Sequence, residues 1–147
     1  MSVLKSDAVT AGIMPDFAQA GVLLCRTGSY EISTAAAGAT IQLVPVPKDA
    51  EIVDVMIRTE IPAAGSASVA TLEIGDGSDN DRFFSLLTGS ATKHTNLYGG
   101  SGNVGFMKIY DTDETIDAYI DSAMGTGFTI YLKAVYKMRG SISDETN

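Results

Sequence analysis

Asp76, Ser78, Asn80 and Asp81 place oxygen-bearing side chains close together in the stretch Gly75-Asp76-Gly77-Ser78-Asp79-Asn80-Asp81-Arg82. Hard oxygen ligands at alternate positions suit calcium, which takes carboxylate, amide and carbonyl oxygens. The helix-loop-helix calcium pattern is not met. The sixth position counted from Asp76 is Asp81 rather than Gly, and the twelfth is Leu87 rather than Glu. The same residue types are turn formers that bond their own backbone. The simpler reading is therefore a rigid acidic turn with no cofactor, and a calcium ion on Asp76, Ser78, Asn80 and Asp81 is the alternative. Arg82 is placed to pair with a neighbouring acid and hold the corner shut. A second acidic run, Asp111, Asp113 and Glu114, reads as a solvated hairpin loop. It could share an ion with the first only if both lie at one end of the fold.

Catalytic chemistry finds less support. Asp117 and Asp121 fall on one face of a strand, where a glycosidase would need two carboxylates at a set separation in a cleft. Exposure on the outward face is the simpler expectation. The single histidine, His94, lies in a polar run with no Gly-x-Ser-x-Gly elbow to serve. The run Gly99-Gly100-Ser101-Gly102 lacks the lysine and following helix of a phosphate loop. The single cysteine, Cys25, excludes an internal disulfide. In Gly21-Val22-Leu23-Leu24-Cys25 it reads as a small buried hydrophobe. Tyr98, Tyr110, Tyr119, Tyr131 and Tyr136 suit a sugar platform or a protein interface, and the absence of Trp weakens the former. The expectation is a protein that is not an enzyme.

The elements that must position these residues are strands. Residues 69–74 alternate, with Ala70, Leu72 and Ile74 on one face and Thr71 and Glu73 on the other. The acidic turn follows, and Phe83 and Phe84 return the chain to an apolar core. Residues 51–61 form a long strand with Val53, Val55, Ile57, Thr59 and Ile61 on one face. Residues 128–138 form another, with Phe128, Ile130, Leu132, Ala134, Tyr136 and Met138 inward. Shorter strands are expected over 22–25, over 30–32 after a turn at Thr27-Gly28-Ser29, and over 40–46, 104–110 and 115–121. In the 40–46 strand Ile41, Leu43 and Pro45 share a face, and Pro45 and Pro47 mark an edge or a stop. Residues 88–96 read as a polar loop. Many short strands with regular turns and no convincing helix indicate a single all-β sandwich of jelly-roll or Greek-key type. Residues 1–20 read as an extended N-terminal arm with a helical turn near 16–20. Residues 21–138 form the sandwich and 139–147 a polar tail.

At 147 residues, with 45% hydrophobic and 19% charged residues, the chain is a folded single domain rather than a disordered one. A net charge of -8 argues against nucleic-acid and membrane-surface partners. No stretch approaches a bilayer-spanning length, and the start lacks signal-peptide character. This points to synthesis and use on the cytosolic side.

The run Thr71-Leu72-Glu73-Ile74-Gly75-Asp76-Gly77-Ser78-Asp79-Asn80-Asp81-Arg82-Phe83, with the closing strand Thr129-Ile130-Tyr131-Leu132-Lys133-Ala134-Val135-Tyr136, resembles small structural proteins of tailed bacteriophages. Capsid decoration (cement) proteins are the nearest in style. The resemblance implies a non-enzymatic, trimeric β-sandwich on the outside of an icosahedral head. It would bind the major capsid protein, located in the virion and, during assembly, in the host cytoplasm. It also implies terminal arms that reach neighbouring subunits, with Met14 and Phe17 on the arm and Tyr98 as contact residues. The competing reading is a calcium-dependent carbohydrate-binding sandwich of a phage tail or fibre.

Overall fold

The computed structural model describes residues 3–10, 23–32, 37–60, 71–87, 93–96, 107–122 and 128–139. They form an all-β sandwich with one helical turn. One sheet holds β1 (Val3–Lys5), β3 (Ala39–Val46), β8 (Glu114–Ile120), β5 (Thr71–Asp76) and β6 (Asp79–Leu87), in that spatial order. The other holds β2 (Leu23–Ile32), β9 (Phe128–Met138), β4 (Ala50–Glu60) and β7 (Lys93–Asn96). From β2 onward the chain changes sheet at every connection except the β5–β6 hairpin. All pairings are antiparallel apart from β1 on β3. A helical turn α1 (Asp7–Thr10) follows β1; residues 16–20, where a helical turn is expected, lie outside the described residues, as do the expected tail from residue 140 and strand residues 104–106.

The core is made by the inward faces of both sheets. Phe128, Ile130, Leu132, Ala134 and Tyr136 of β9 are buried, as the unbroken alternation predicts. They face Ile41, Val44 and Val46 of β3, Leu72 and Ile74 of β5, and Ile116, Ala118 and Ile120 of β8 in one apolar cluster. Burying each large side chain is worth about 1.5–3 kcal/mol, so this cluster is the main stabilising term.

Three local irregularities depart from plain alternation. In β4 the register shifts between Ile52 and Asp54, so Ile52 joins Val55 and Ile57 inside while Val53 is only half-buried. Val55, Ile57 and Thr59 are buried on one face as expected; only Val53, expected with them, is displaced by the bulge in favour of Ile52. In β3 the shift between Gln42 and Val44 makes Leu43 the extra residue; Leu43 is fully buried with Ile41 as expected, and Val44 and Val46 join them in the core beyond the bulge. Pro45 lies beyond β1, which pairs only with Thr40, Ile41 and Gln42, so β3 is an edge there, as the proline requires. In the β5–β6 pair the register slips between Ile74 and Asp76. Phe84 stands opposite Ile74, Phe83 falls inside the slip, and both are fully buried.

Gly28 is not a turn. β2 runs unbroken through it, and a Cβ there would stand 1.9 Å from the Leu43 carbonyl oxygen. Glycine lets β2 and β3, from opposite sheets, approach backbone to backbone. That carbonyl also accepts a 2.6 Å bond from the Ser6 hydroxyl, which ties the start of the chain to the same point. Residues 93–96, expected as loop, are the edge strand β7 paired with β4.

Candidate functional site

The acidic turn of the β5–β6 hairpin sits at one end of the sandwich. Asp76 pairs with Asp79 across Gly77 and Ser78, a two-residue connection of the kind that closes tight hairpins. Gly75 is required just before it. A Cβ at this position would lie 1.9 Å from the Asp79 carbonyl oxygen and 2.5 Å from the Asn80 backbone, so β6 folds over β5 there.

Asp76 is 2% exposed, and its carboxylate is filled by protein donors. Oδ1 accepts from the Ser78 amide at 3.0 Å, the Ser78 hydroxyl at 2.8 Å and the Asp79 amide at 3.1 Å. Oδ2 accepts from Arg82 Nε at 2.5 Å and the Tyr110 hydroxyl at 3.1 Å. Arg82 reaches further, to the Ser78 hydroxyl at 2.9 Å and Asp79 at 3.9 Å. Burial alone would raise the Asp76 carboxyl; the Ser78 and Arg82 bonds outweigh it and hold the group below the usual carboxylate range. The Tyr110 hydroxyl is pushed well up by burial and by the Asp76 charge it faces.

Tyr110 is delivered from the opposite side by residues 107–110, which run along the start of β4. The Met107 amide donates to the Ile52 carbonyl at 3.1 Å, Ile52 to Lys108 at 2.8 Å, Tyr110 to Ala50 at 3.1 Å and Asp49 to Tyr110 at 2.7 Å. Over 107–110, the described part of the strand expected over 104–110, this strap makes one isolated bridge, Ile109 opposite Glu51, in place of a regular strand. Tyr110 as a partner of Asp76 was not legible in the sequence: the two lie 34 residues apart and no motif links them.

The second acidic run does lie at the same end. A Cβ on Gly77 would stand 3.3 Å from Glu114 Oε1, and Asp76 is opposite Ile116 in the β5–β8 ladder. Glu114 also accepts from the Thr115 amide at 3.1 Å, and Asp113 accepts from the Lys48 amide at 2.9 Å. Of the four calcium candidates, Asp76 is buried and bonded, Ser78 is exposed but bonded to Asp76 and Arg82, and Asn80 and Asp81 are exposed. Among the described residues no three His, Cys, Asp or Glu side chains converge as a metal-binding group.

Asp117 and Asp121 part company. Asp121 is exposed; the Thr71 amide and the Ser122 hydroxyl, each at 2.9 Å, hold its carboxyl low. Asp117, expected at the surface, is only 5% exposed, and its Oδ1 has no hydrogen-bond partner. Its register neighbours are Gln42 on β3 and Gly75 on β5, beneath the overlying backbone of β6. Burial pushes its carboxyl up to about 7; Glu114 and Asp76 add to the rise, and the Thr115 hydroxyl, close by but outside hydrogen-bonding geometry, offsets part of it. On the same outward face Glu73 is raised by partial burial and by the charges of Asp81 and Asp121.

The other sheet presents a different outward face. Arg58 pairs with Glu60 at 2.9 Å and lies 4.4 Å over the Tyr131 ring, and Lys137 pairs with Glu51 at 3.1 Å. Beside them Leu23 is 61% exposed, and Cys25, expected to be buried, is exposed on the outer side of the edge strand β2. Alternation decides this: Leu24 turns toward the core, so Cys25 turns away. His94 is opposite Arg58 in the ladder, in the sheet that does not carry the acidic corner. Met14, Phe17 and Tyr98 lie outside the described residues. No described helix is long and apolar enough to cross a membrane.

No family model and no curated protein matches the chain. Solved structures do. A chain in "Capsid of Ralstonia phage GP4" superposes with a TM-score of 0.73 at 18% identity, over 95% of this chain and 99% of that one. One in "Acidic stable capsid structure of Helicobacter pylori bacteriophage KHP30" gives 0.61 at 15%, over 83% and 92%. One in "Cyanophage Pam1 capsid asymmetric unit" gives 0.60 at 14%, over 86% and 91%. The two-sheet sandwich built around the acidic hairpin is a fold that chains of phage capsids adopt.

Proposed function

We propose that this chain is a non-enzymatic virion structural protein that binds the outside of a phage capsid as a decoration, or cement, protein and stabilises the head. The observation that carries the reading is the near end-to-end superposition on a chain of the Ralstonia phage GP4 capsid, 95% of one on 99% of the other. The fold is therefore matched as a whole and by a chain of similar length. The strand orders β2-β9-β4-β7 and β3-β8-β5-β6 are those of an eight-stranded jelly roll, to which β1 adds an edge.

The chemistry of the two faces is compatible with this role. An acidic exterior with Glu73, Asp81 and Asp121 on one sheet would be repelled by a packaged genome, which favours the outer side of a shell. The opposite sheet carries charges already paired within the chain beside exposed Leu23 and Cys25, which lowers the cost of drying it against a partner. The partner in this reading is the major capsid protein, and the bound form is a homotrimer bridging its subunits. Binding only the assembled shell stabilises that shell by mass action.

The test is the melting of heads that lack this chain, with and without the purified protein added back. A rise in head melting temperature on addition, reduced when residues 1–20 are removed, is the expected result. An unchanged head melting temperature contradicts the cement role. A calcium-dependent rise in the melting temperature of the free chain, together with sugar binding on a glycan array, would instead favour the carbohydrate-binding module.

A further inference from the structure

We infer that Asp117 is a proton-dependent latch: its neutral carboxyl holds the tip of the β5–β6 hairpin against β8, and its ionisation loosens that tip. The inference rests on the sandwich itself and not on the capsid role. Asp117 sits mid-strand in β8, flanked in register by Gln42 and Gly75. Gly75 shares its face, and the Asp79 and Asn80 backbone lies so close over Gly75 that a Cβ there would meet it at 1.9–2.5 Å. The hairpin tip therefore roofs the space into which Asp117 projects, which explains how an acid on an outward face is only 5% exposed.

The surroundings are wrong for a carboxylate. Asp117 Oδ1 has no donor, and Thr115 Oγ1, two residues away on the same face, is also buried without a hydrogen-bond partner. The charged groups on the elements packed around it are mostly acids. Glu114 lies on β8 itself, Glu73 and Asp76 on β5, and Asp79 and Asp81 on β6. Of the cations near that face, Arg82 is engaged by Asp76, Ser78 and Asp79, and Lys5 of β1 stands exposed across Gln42 from Asp117, two strands away. A buried carboxylate oxygen with no donor is costly, and the group lowers that cost by taking up a proton. A neutral carboxyl needs one acceptor, and the roofing backbone of β6 presents carbonyl oxygens on that side. Burial and the like charges place the titration near neutrality, about 7. Above it the new charge faces the acids of the hairpin, and opening to water relieves both burial and repulsion.

The test joins two measurements. Carboxyl carbon NMR of the wild-type chain should show Asp117 titrating between pH 6 and 8. Amide hydrogen exchange, corrected for its intrinsic pH dependence, should show protection of the hairpin amides from Gly77 to Arg82 falling at least tenfold between pH 6 and 8.5. Asp117→Asn, which cannot ionise, should abolish that fall. The NMR titration stands by itself if the variant does not fold. Titration of Asp117 below pH 5 overturns the inference, as does a pH-dependent loosening that persists in Asp117→Asn. A calcium-dependent stabilisation at pH 7.5 that Asp117→Asn removes would also overturn it, since a cation would then hold the place of the proton.

Discussion

Two carboxyl groups one strand apart show how neighbours, rather than depth, decide what a buried acid does. Asp76 is 2% exposed and Asp117 is 5% exposed, and both belong to the end of the sandwich where β5, β6 and β8 meet. Asp76 faces the core side and collects two amides, a serine hydroxyl, an arginine and a tyrosine hydroxyl. Asp117 faces the outer side, under a bulge, and its Oδ1 collects none. The first is held ionised and welds the turn; the second is pushed toward neutrality. Equal burial has opposite consequences because hydrogen bonds to the charged form stabilise it and desolvation without them does not.

The largest effect is expected from breaking the welded side. Asp76→Ala leaves the Arg82 guanidinium, the Tyr110 hydroxyl and two amides without their acceptor. It should cost about 3–5 kcal/mol in urea unfolding, the range for removing one partner of a buried ion pair. A loss under 1 kcal/mol would mean that water replaces the carboxylate readily and that the corner is not a weld.

The pH dependence distinguishes the two acids by sign. The Asp76 carboxyl is held low in the fold, so its contribution is present above the ordinary carboxylate range and is lost as pH falls through its folded value. The Asp117 carboxyl is raised to about 7, so its contribution is complete below the ordinary carboxylate range and is lost as pH climbs toward 7. Between pH 5 and 8 the unfolding free energy should fall by roughly 3 kcal/mol, and Asp117→Asn should remove most of that fall. A stability flat over this interval in the wild-type chain would place a donor or cation on Asp117.

Gly75 links the two acids, because its bare Cα lets β6 cross over β5 and cover Asp117. Gly75→Ala puts a Cβ into the Asp79 carbonyl and should cost about 1–3 kcal/mol, as overpacking does. It should also lower the titration of Asp117 by admitting water, measured by carboxyl NMR. Cys25→Ser, on the exposed face of β2, is the control and should change stability by no more than about 0.5 kcal/mol in the same unfolding assay.

Sequence reasoning reached the all-β sandwich because the long strands keep period two where nothing interrupts them. β9 alternates from Phe128 to Met138 without a slip, and each inward residue expected there through Tyr136 is buried. In β4 the same reasoning placed Val55, Ile57 and Thr59 inside but exchanged Val53 and Ile52, and in β3 it placed Ile41 and Leu43 inside but missed Val44 and Val46, because the bulges at Val53 and Leu43 shift the parity. A bulge changes parity without changing composition. Gly28 imitated a turn because Thr-Gly-Ser is turn-like, whereas the need for glycine comes from Leu43 on the other sheet, a contact between strands that composition does not encode. The pairing of Arg82 with a neighbouring acid was legible, since Asp76 is local to it. The Tyr110 bond and the burial of Asp117 were not, since each depends on a strap or a bulge arriving from elsewhere in the chain.

The capsid role is tested most directly by co-sedimentation of the purified chain with phage heads from which it is absent. A saturable fraction pelleting with the heads, at a fixed number of copies per head and none pelleting with unassembled capsid subunits, is the predicted result. A chain that stays in the supernatant at every concentration tried would contradict it.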